Sequence, residues 1–454
     1  ELFFPSFDLV SRLDRAELTQ SPPAGFCAGI ESNCTAAGVL PRTGYGGRSG
    51  IRQIGYVLPD DLTEYSTETI AGYALARFGD PDNGISGNVG ARVVHLKNRS
   101  SGYFQQNVLT FIRGGQNVTL AAVAEVREDG ESFTRVLPSV NVDYTLADDI
   151  KLRAAYNITM DLPSFNSLRA SGSLGVATTP NPVQGQPGIF TNFTTTSGNP
   201  LLKPTMANNF DLSIEYYPRA GTSFHFAPFY KRLTDLPIYA LTEQPVTVVL
   251  QGGATEQVTA ASTDYSNSDE AAEVLGFELG GRVFLDMLPG WLSGIGVEAN
   301  YTFIDSKNPG DTYRDINGVR RDDAPLVGLS RHNANATLLY ERDPFSFRLA
   351  YSWRSRYLQS TNSNGTNFAY NYFTASGVSQ SVQLALPVYG AAFGTLDAGI
   401  RYKLSEQLSV NVQATNLLAA TQRTLMGGHA DGRIYTRSWF QSDRRLALGV
   451  NFTF

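Results

Sequence analysis

A chain of 454 residues with a formal net charge of −6 lacks the clustered cations that a phosphate backbone demands, which speaks against nucleic acid as a partner. No run approaches the ~18 consecutive apolar residues of a membrane helix, so helical membrane proteins are excluded despite the 42% hydrophobic content. With 22 Tyr, 26 Phe and 43 Gly, the composition is one of strands and loops.

Residues 1–66 read as a loop-rich segment, flexible at Gly44-Tyr45-Gly46-Gly47. Its start, Glu1-Leu2-Phe3-Phe4, has neither the basic nor the apolar part of a signal peptide, so the chain is expected to be processed or cut from a longer one. It holds both cysteines, Cys27 and Cys34, whose proximity in a polar loop suggests a local disulfide in an oxidising compartment.

Strands are expected at Thr67 to Phe78 and Gly87 to Lys97, then a polar, irregular stretch to about Glu131. Val136 to Thr145 and Lys151 to Asn157 form the next pair, and a proline-bearing loop leads to Pro204. Asn209 to Tyr217 pairs with Ser223 to Arg232, a loop runs to about Glu270, and Gly276 to Met287 pairs with Ile295 to Asp305. Asn333 to Glu341 with Phe345 to Arg354, Thr395 to Tyr402 with Leu408 to Thr415, and the terminal Arg445 to Phe454 complete about thirteen strands.

These strands alternate apolar and polar side chains. In the last one Leu446, Leu448, Val450, Phe452 and Phe454 share one face, opposite Ala447, Gly449, Asn451 and Thr453. Short turns and long loops also alternate strictly along the chain. A soluble sandwich of roughly 100 residues cannot hold so many strands. The expected fold is therefore all-β, an antiparallel transmembrane β-barrel spanning 67–454, with its apolar face to lipid, short periplasmic turns and long extracellular loops.

Gly198-Asn199-Pro200-Leu201-Leu202-Lys203-Pro204 resembles the GNPxLKPE signature of TonB-dependent outer-membrane receptors. Leu146-Ala147-Asp148-Asp149, Leu152-Arg153-Ala154, Leu162-Pro163-Ser164-Phe165, Phe229-Tyr230-Lys231, Asn416-Leu417-Leu418 and the terminal Phe454 resemble further segments of that family, in the right order. Thr205, Asp161 and Leu418-Ala419 depart from its usual residues. The resemblance implies part of a barrel of about 22 strands in the bacterial outer membrane, with a plug that this sequence does not include. It further implies TonB-energised uptake of a scarce nutrient, with an oligosaccharide favoured over a ferric siderophore. The implied partners are the TonB complex acting through the plug, outer-membrane lipid and lipopolysaccharide, the barrel-assembly machinery and a small nutrient ligand. A passive porin or a structural scaffold barrel is the alternative.

Nothing in the sequence suggests an enzyme or a cofactor. His95, His225, His332 and His429 are scattered without metal-ligand spacing, and each is expected in the lumen or a loop. Gly84-x-x-Gly87-x-x-Gly90 opens a strand and reads as a turn with close packing. The candidate ligand-binding residues are loop aromatics near amides and cations, which suit amphipathic ligands. They are Tyr357, Tyr370, Tyr372 and Phe373, with His429, Arg433, Tyr435 and Trp439 in the last loop. An aromatic girdle at the membrane interface is the competing role for Tyr357 and Trp439.

Overall fold

The computed structural model describes residues 62–80, 84–310, 313–314, 320–322, 324–361, 367–373, 379–427 and 434–453. Cys27, Cys34, His429, Arg433 and Phe454, and almost all of the expected loop segment 1–66, lie outside them.

Thirteen long strands form one antiparallel meander in which each pairs with the next. They are β1 (Glu64–Gly79), β2 (Ile85–Gln106), β3 (Ser132–Ala147), β4 (Ile150–Asp161), β5 (Thr205–Arg219), β6 (Thr222–Thr234) and β7 (Ala272–Phe284). They continue as β8 (Ile295–Lys307), β9 (His332–Arg342), β10 (Phe345–Arg354), β11 (Phe393–Lys403), β12 (Leu408–Thr415) and β13 (Arg445–Phe452). The short connections are 80–84, 148–149, 220–221, 285–294, 343–344 and 404–407, all at one end. Among the described residues, β1 pairs only with β2 and β13 only with β12.

Each face of this sheet has one character. Val140, Tyr156, Phe210, Tyr230 and Leu275 lie side by side across five strands on the outer face. Lower down, Val297, Leu338, Leu349, Ala398, Ala414 and Leu446 form an equivalent row. Large apolar side chains here stay exposed, Leu212 at 57% and Leu448 at 74%, as a surface solvated by hydrocarbon must be. The opposite face is an amide and ion lattice. Asn141 donates to Asn88 at 2.9 Å, Asn209 to Asn157 at 2.9 Å and Asn335 to Asn300 at 2.8 Å. Arg153 bridges Asp143 at 3.1 Å and Glu215 at 3.5 Å. His225 belongs to this polar face, opposite Glu215 and Gly280.

His332 does not lie in the lumen or a loop. It begins β9 on the outer face, opposite Phe303, with its Nδ1 2.6 Å from the Tyr301 hydroxyl. Its aromatic neighbours, not a ligand, account for its place. The glycine-spaced turn behaves as expected. Gly84 has φ +91°, and a Cβ on Gly87 would sit 2.2 Å from the Asn141 carbonyl oxygen.

The three long connections expected to be irregular are instead built from strands. The chain between β2 and β3 forms a hairpin, Thr110–Arg113 with Gln116–Thr119, and the strand Val123–Asp129, which pairs with the upper end of β2. Between β4 and β5 lies the hairpin Gly172–Thr179 with Ile189–Ser197, and between β6 and β7 the hairpin Pro237–Val249 with Thr255–Asn267. The last two join through the parallel pairing of Phe193 with Ala260. Together they enclose Phe111, Leu120, Leu174, Phe193, Val248 and Ala260, a hydrophobic core cluster among the described residues. A sheet with lipid on one side and a wet lumen on the other has no dry interior, so the closed core forms above the membrane, where three loops cover one another.

Candidate ligand-binding surface

The dome is fastened by side chains that substitute for strand backbone. Gln106 donates to the carbonyls of Ala121 at 2.7 Å and Val249 at 2.6 Å and accepts from the Val249 amide at 3.1 Å. Arg113 grips both oxygens of Glu256, at 2.9 and 3.0 Å, and lies over the Phe190 and Phe193 rings. Nearer the barrel the core turns polar. Gln244 and Ser262 donate to Asp264, which also accepts from Ser197 at 2.8 Å, and Thr195 donates to Ser262. Arg127 covers the Phe104 ring at 3.6 Å. Burial pulls its guanidinium down from the ordinary arginine value, opposed by the charges of Glu125 and Asp264. The hydrogen bonds among Thr195, Ser197, Gln244, Ser262 and Asp264 brace the dome.

The Gly198–Pro204 motif serves the same end. A Cβ on Gly198 would fall 2.5 Å from the Arg169 carbonyl oxygen, and the Asn199 amide donates to Ser167 at 2.7 Å. The Asn199 side chain donates to the Tyr265 carbonyl at 3.0 Å. Asn267 accepts from the Lys203 amide at 2.9 Å and donates to the carbonyls of Lys203 at 3.0 Å and Asp235 at 2.7 Å. The motif is therefore a joint between the loops above β4 and β6. Asn267→Ala is expected to cost about 1–2 kcal/mol and to speed protease cleavage within 235–271. Cleavage at the unsubstituted rate would show that the joint is dispensable.

The expected aromatic cluster is divided between two small sheets. One comprises Tyr357–Ser360, Val388–Gly390, Thr421–Gly427 and Ile434–Gln441, and carries Tyr357, Tyr435 and Trp439. The other comprises Tyr313–Arg314, Arg320–Arg321, Asn367–Phe373 and Ser379–Ala385, and carries Tyr370, Tyr372 and Phe373. Among the described residues no strand pairing joins the two.

Tyr357 packs against its neighbours. Arg354 stacks on it at 3.8 Å, and a Cβ on Gly390 would lie 2.3 Å from its ring. Trp439, opposite Arg423, is 75% exposed, and Phe440 beside it, an aromatic that the sequence also offers in the last loop, is 65% exposed. Tyr435 is also exposed. The open aromatic surface of the described loops thus centres on Ile434–Gln441, immediately before β13. The Trp439-Phe440 doublet was the available signal.

A family model described as TonB dependent receptor-like, beta-barrel matches residues 26–417. The chain belongs to the TonB-dependent receptor β-barrel family. Its place is the bacterial outer membrane, and its family is one of transporters, not enzymes. No curated protein sequence matches the chain.

Among solved structures, a ferric enterobactin receptor mutant of Pseudomonas aeruginosa in complex with enterobactin shares 15% identity. The match covers 87% of this chain and 56% of that one, with a TM-score of 0.50. The copper transporter OprC shares 14% identity over 86% of this chain and 49% of its own, TM-score 0.50. The ferric-catecholate import receptor Fiu of E. coli K12 shares 14% over 86% and 45%, TM-score 0.49. The chain thus spans about half the length of these solved structures, and the likeness to the first two is one of fold.

Proposed function

We propose that this receptor chain supplies thirteen staves and the extracellular loops of a TonB-energised importer of a scarce nutrient. The observation that carries this reading is the family match over residues 26–417. A polar lumen wall and a braced extracellular dome suit such a device. TonB would act through a plug outside this sequence, and the outer membrane, which holds no ATP, makes external energy necessary. We further propose that residues 1–66 form an external loop stapled by Cys27 and Cys34.

For the ligand, an oligosaccharide is the favoured class and a ferric siderophore the second reading. Support for the first is the exposed aromatic strand with Tyr435, Trp439 and Phe440, since ring faces stack on sugars. Support for the second is that one structure of similar fold is a ferric enterobactin receptor in complex with enterobactin. Tyr357, Tyr370, Tyr372 and Phe373, with His429 and Arg433, are further proposed contacts.

The test is calorimetry on the full-length receptor with oligosaccharides and with ferric siderophores. Trp439→Ala is expected to weaken oligosaccharide binding about tenfold, the scale of ~1.4 kcal/mol. Equal affinity in the variant would assign Trp439 to the membrane interface, and tight siderophore binding without any sugar binding would select the second reading.

A further inference from the structure

We infer that the outer face holds a seat for one acyl chain of a phosphorylated lipid, between β4, β5 and β6. The lipid-facing surface is dented here by a cavity of about 430 Å³ with an almost wholly apolar lining. The cause is local. Ala154 and Pro228 flank Leu212 in one row, while the row above it carries the three rings of Tyr156, Phe210 and Tyr230. Those rings pack together, with centroids 4.7 Å apart for Tyr156 and Phe210 and 6.3 Å for Phe210 and Tyr230. Small residues beneath a ledge of large ones leave a groove that a straight hydrocarbon chain can fill. Pro228 belongs to the same design, being a strand residue without an N–H and with a compact ring on the lipid side.

The extracellular end of the groove is polar. The Tyr156 hydroxyl donates to Asn208 at 3.2 Å and the Tyr230 hydroxyl to Glu273 at 2.9 Å, which places the tyrosines at the boundary between hydrocarbon and water. In the next row Asn208, Arg232, Glu273 and Lys307 stand side by side on adjacent strands. Arg232 and Lys307 are exposed and, among the described residues, make no ion pair. Arg232, on a strand that lines the groove, places a cation above it, while Lys307 stands two strands away beyond Glu273; a phosphate above an acyl chain in the groove would meet Arg232. Within a bilayer every tail is equally apolar, so burial alone selects nothing. Retention of one lipid must come from the shape of the groove together with the charge at its rim.

The test is native mass spectrometry of the full-length receptor, delipidated in detergent, then titrated with phosphatidate and with a diacylglycerol of the same chains. The unsubstituted protein is expected to hold one phosphatidate at least tenfold more tightly than diacylglycerol. Ala154→Phe fills the groove from its lipid side and is expected to abolish this binding. Arg232→Gln is expected to remove the preference for phosphate while leaving weak binding of both lipids. Ala398→Phe, a filling change on the same face of β11, is the control and is expected to bind normally. Binding unchanged in Ala154→Phe, equal loss in Ala398→Phe, or no phosphate preference in the unsubstituted protein would each overturn the assignment in favour of an unspecific lipid annulus.

Discussion

Phe111→Ala is expected to open the extracellular dome while leaving the staves assembled. Phe111 is wholly buried, 5.3 Å from the Phe190 ring and edge-on to Phe193 at 5.9 Å, and contacts between three loops converge on it. Truncating such a ring costs about 3–5 kcal/mol, transfer and cavity terms together. The dome rests on this one small core, so that loss is a large share of what closes it. Limited proteolysis of outer-membrane vesicles would show new cleavage in the connections 107–131, 162–204 and 235–271, with the heat-modifiable gel mobility of the folded barrel retained. Loss of barrel mobility along with the loops would show that dome and staves form one cooperative unit.

Asn416→Ala is expected to destabilise the barrel rim itself, by roughly 2–4 kcal/mol from backbone strain and lost hydrogen bonds. Asn416 has φ +55° and is 8% exposed. Its amide donates to Asp397 at 2.7 Å, and its side chain donates to the Ser442 carbonyl at 2.9 Å and accepts from the Ala420 amide at 2.9 Å. One residue thus joins β11, the end of β12 and the entrance to β13. Asn416→Gly relieves the left-handed strain but not the lost bonds, so an intermediate midpoint is expected in urea titrations of the folded band. Equal midpoints for the alanine and glycine variants would mean that backbone conformation contributes nothing here.

The staves were legible because their cause is local. Leu446, Leu448 and Val450 alternate with small or polar residues, and solvent differs on the two sides of the sheet, so period two appears without knowledge of the neighbours. The order of short and long connections then oriented every strand. The dome was hidden by the opposite circumstance. Arg113-Gly114-Gly115-Gln116 and Gln251-Gly252-Gly253-Ala254 are hairpin turns on inspection, and Pro245 to Leu250 is rich in β-branched residues. Their apolar sides, however, meet only across loops far apart in sequence, and each alone resembles a polar insertion. The candidate site was partly legible. Composition found Trp439 and Tyr435, but neither the packing of Tyr357 under Arg354 nor the division of the aromatics between two sheets has a counterpart in residue spacing. The Gly198 motif was recognised by its letters, and its physical work as a joint required the positions of Ser167, Tyr265 and Asn267.

The way Gln106 is held sets an order of events. Each stave meets its sequence neighbour, so no loop closure along the meander approaches the 143-residue separation of Gln106 and Val249. The bond from Gln106 to Val249 joins residues 143 apart and requires the hairpins β2–β3, β4–β5 and β6–β7 to have delivered their loops to the same side. Contacts of such long range form late. Dome closure is therefore a completion signal for the first seven strands, and its protease resistance is a clock for their maturation that later strands do not reset.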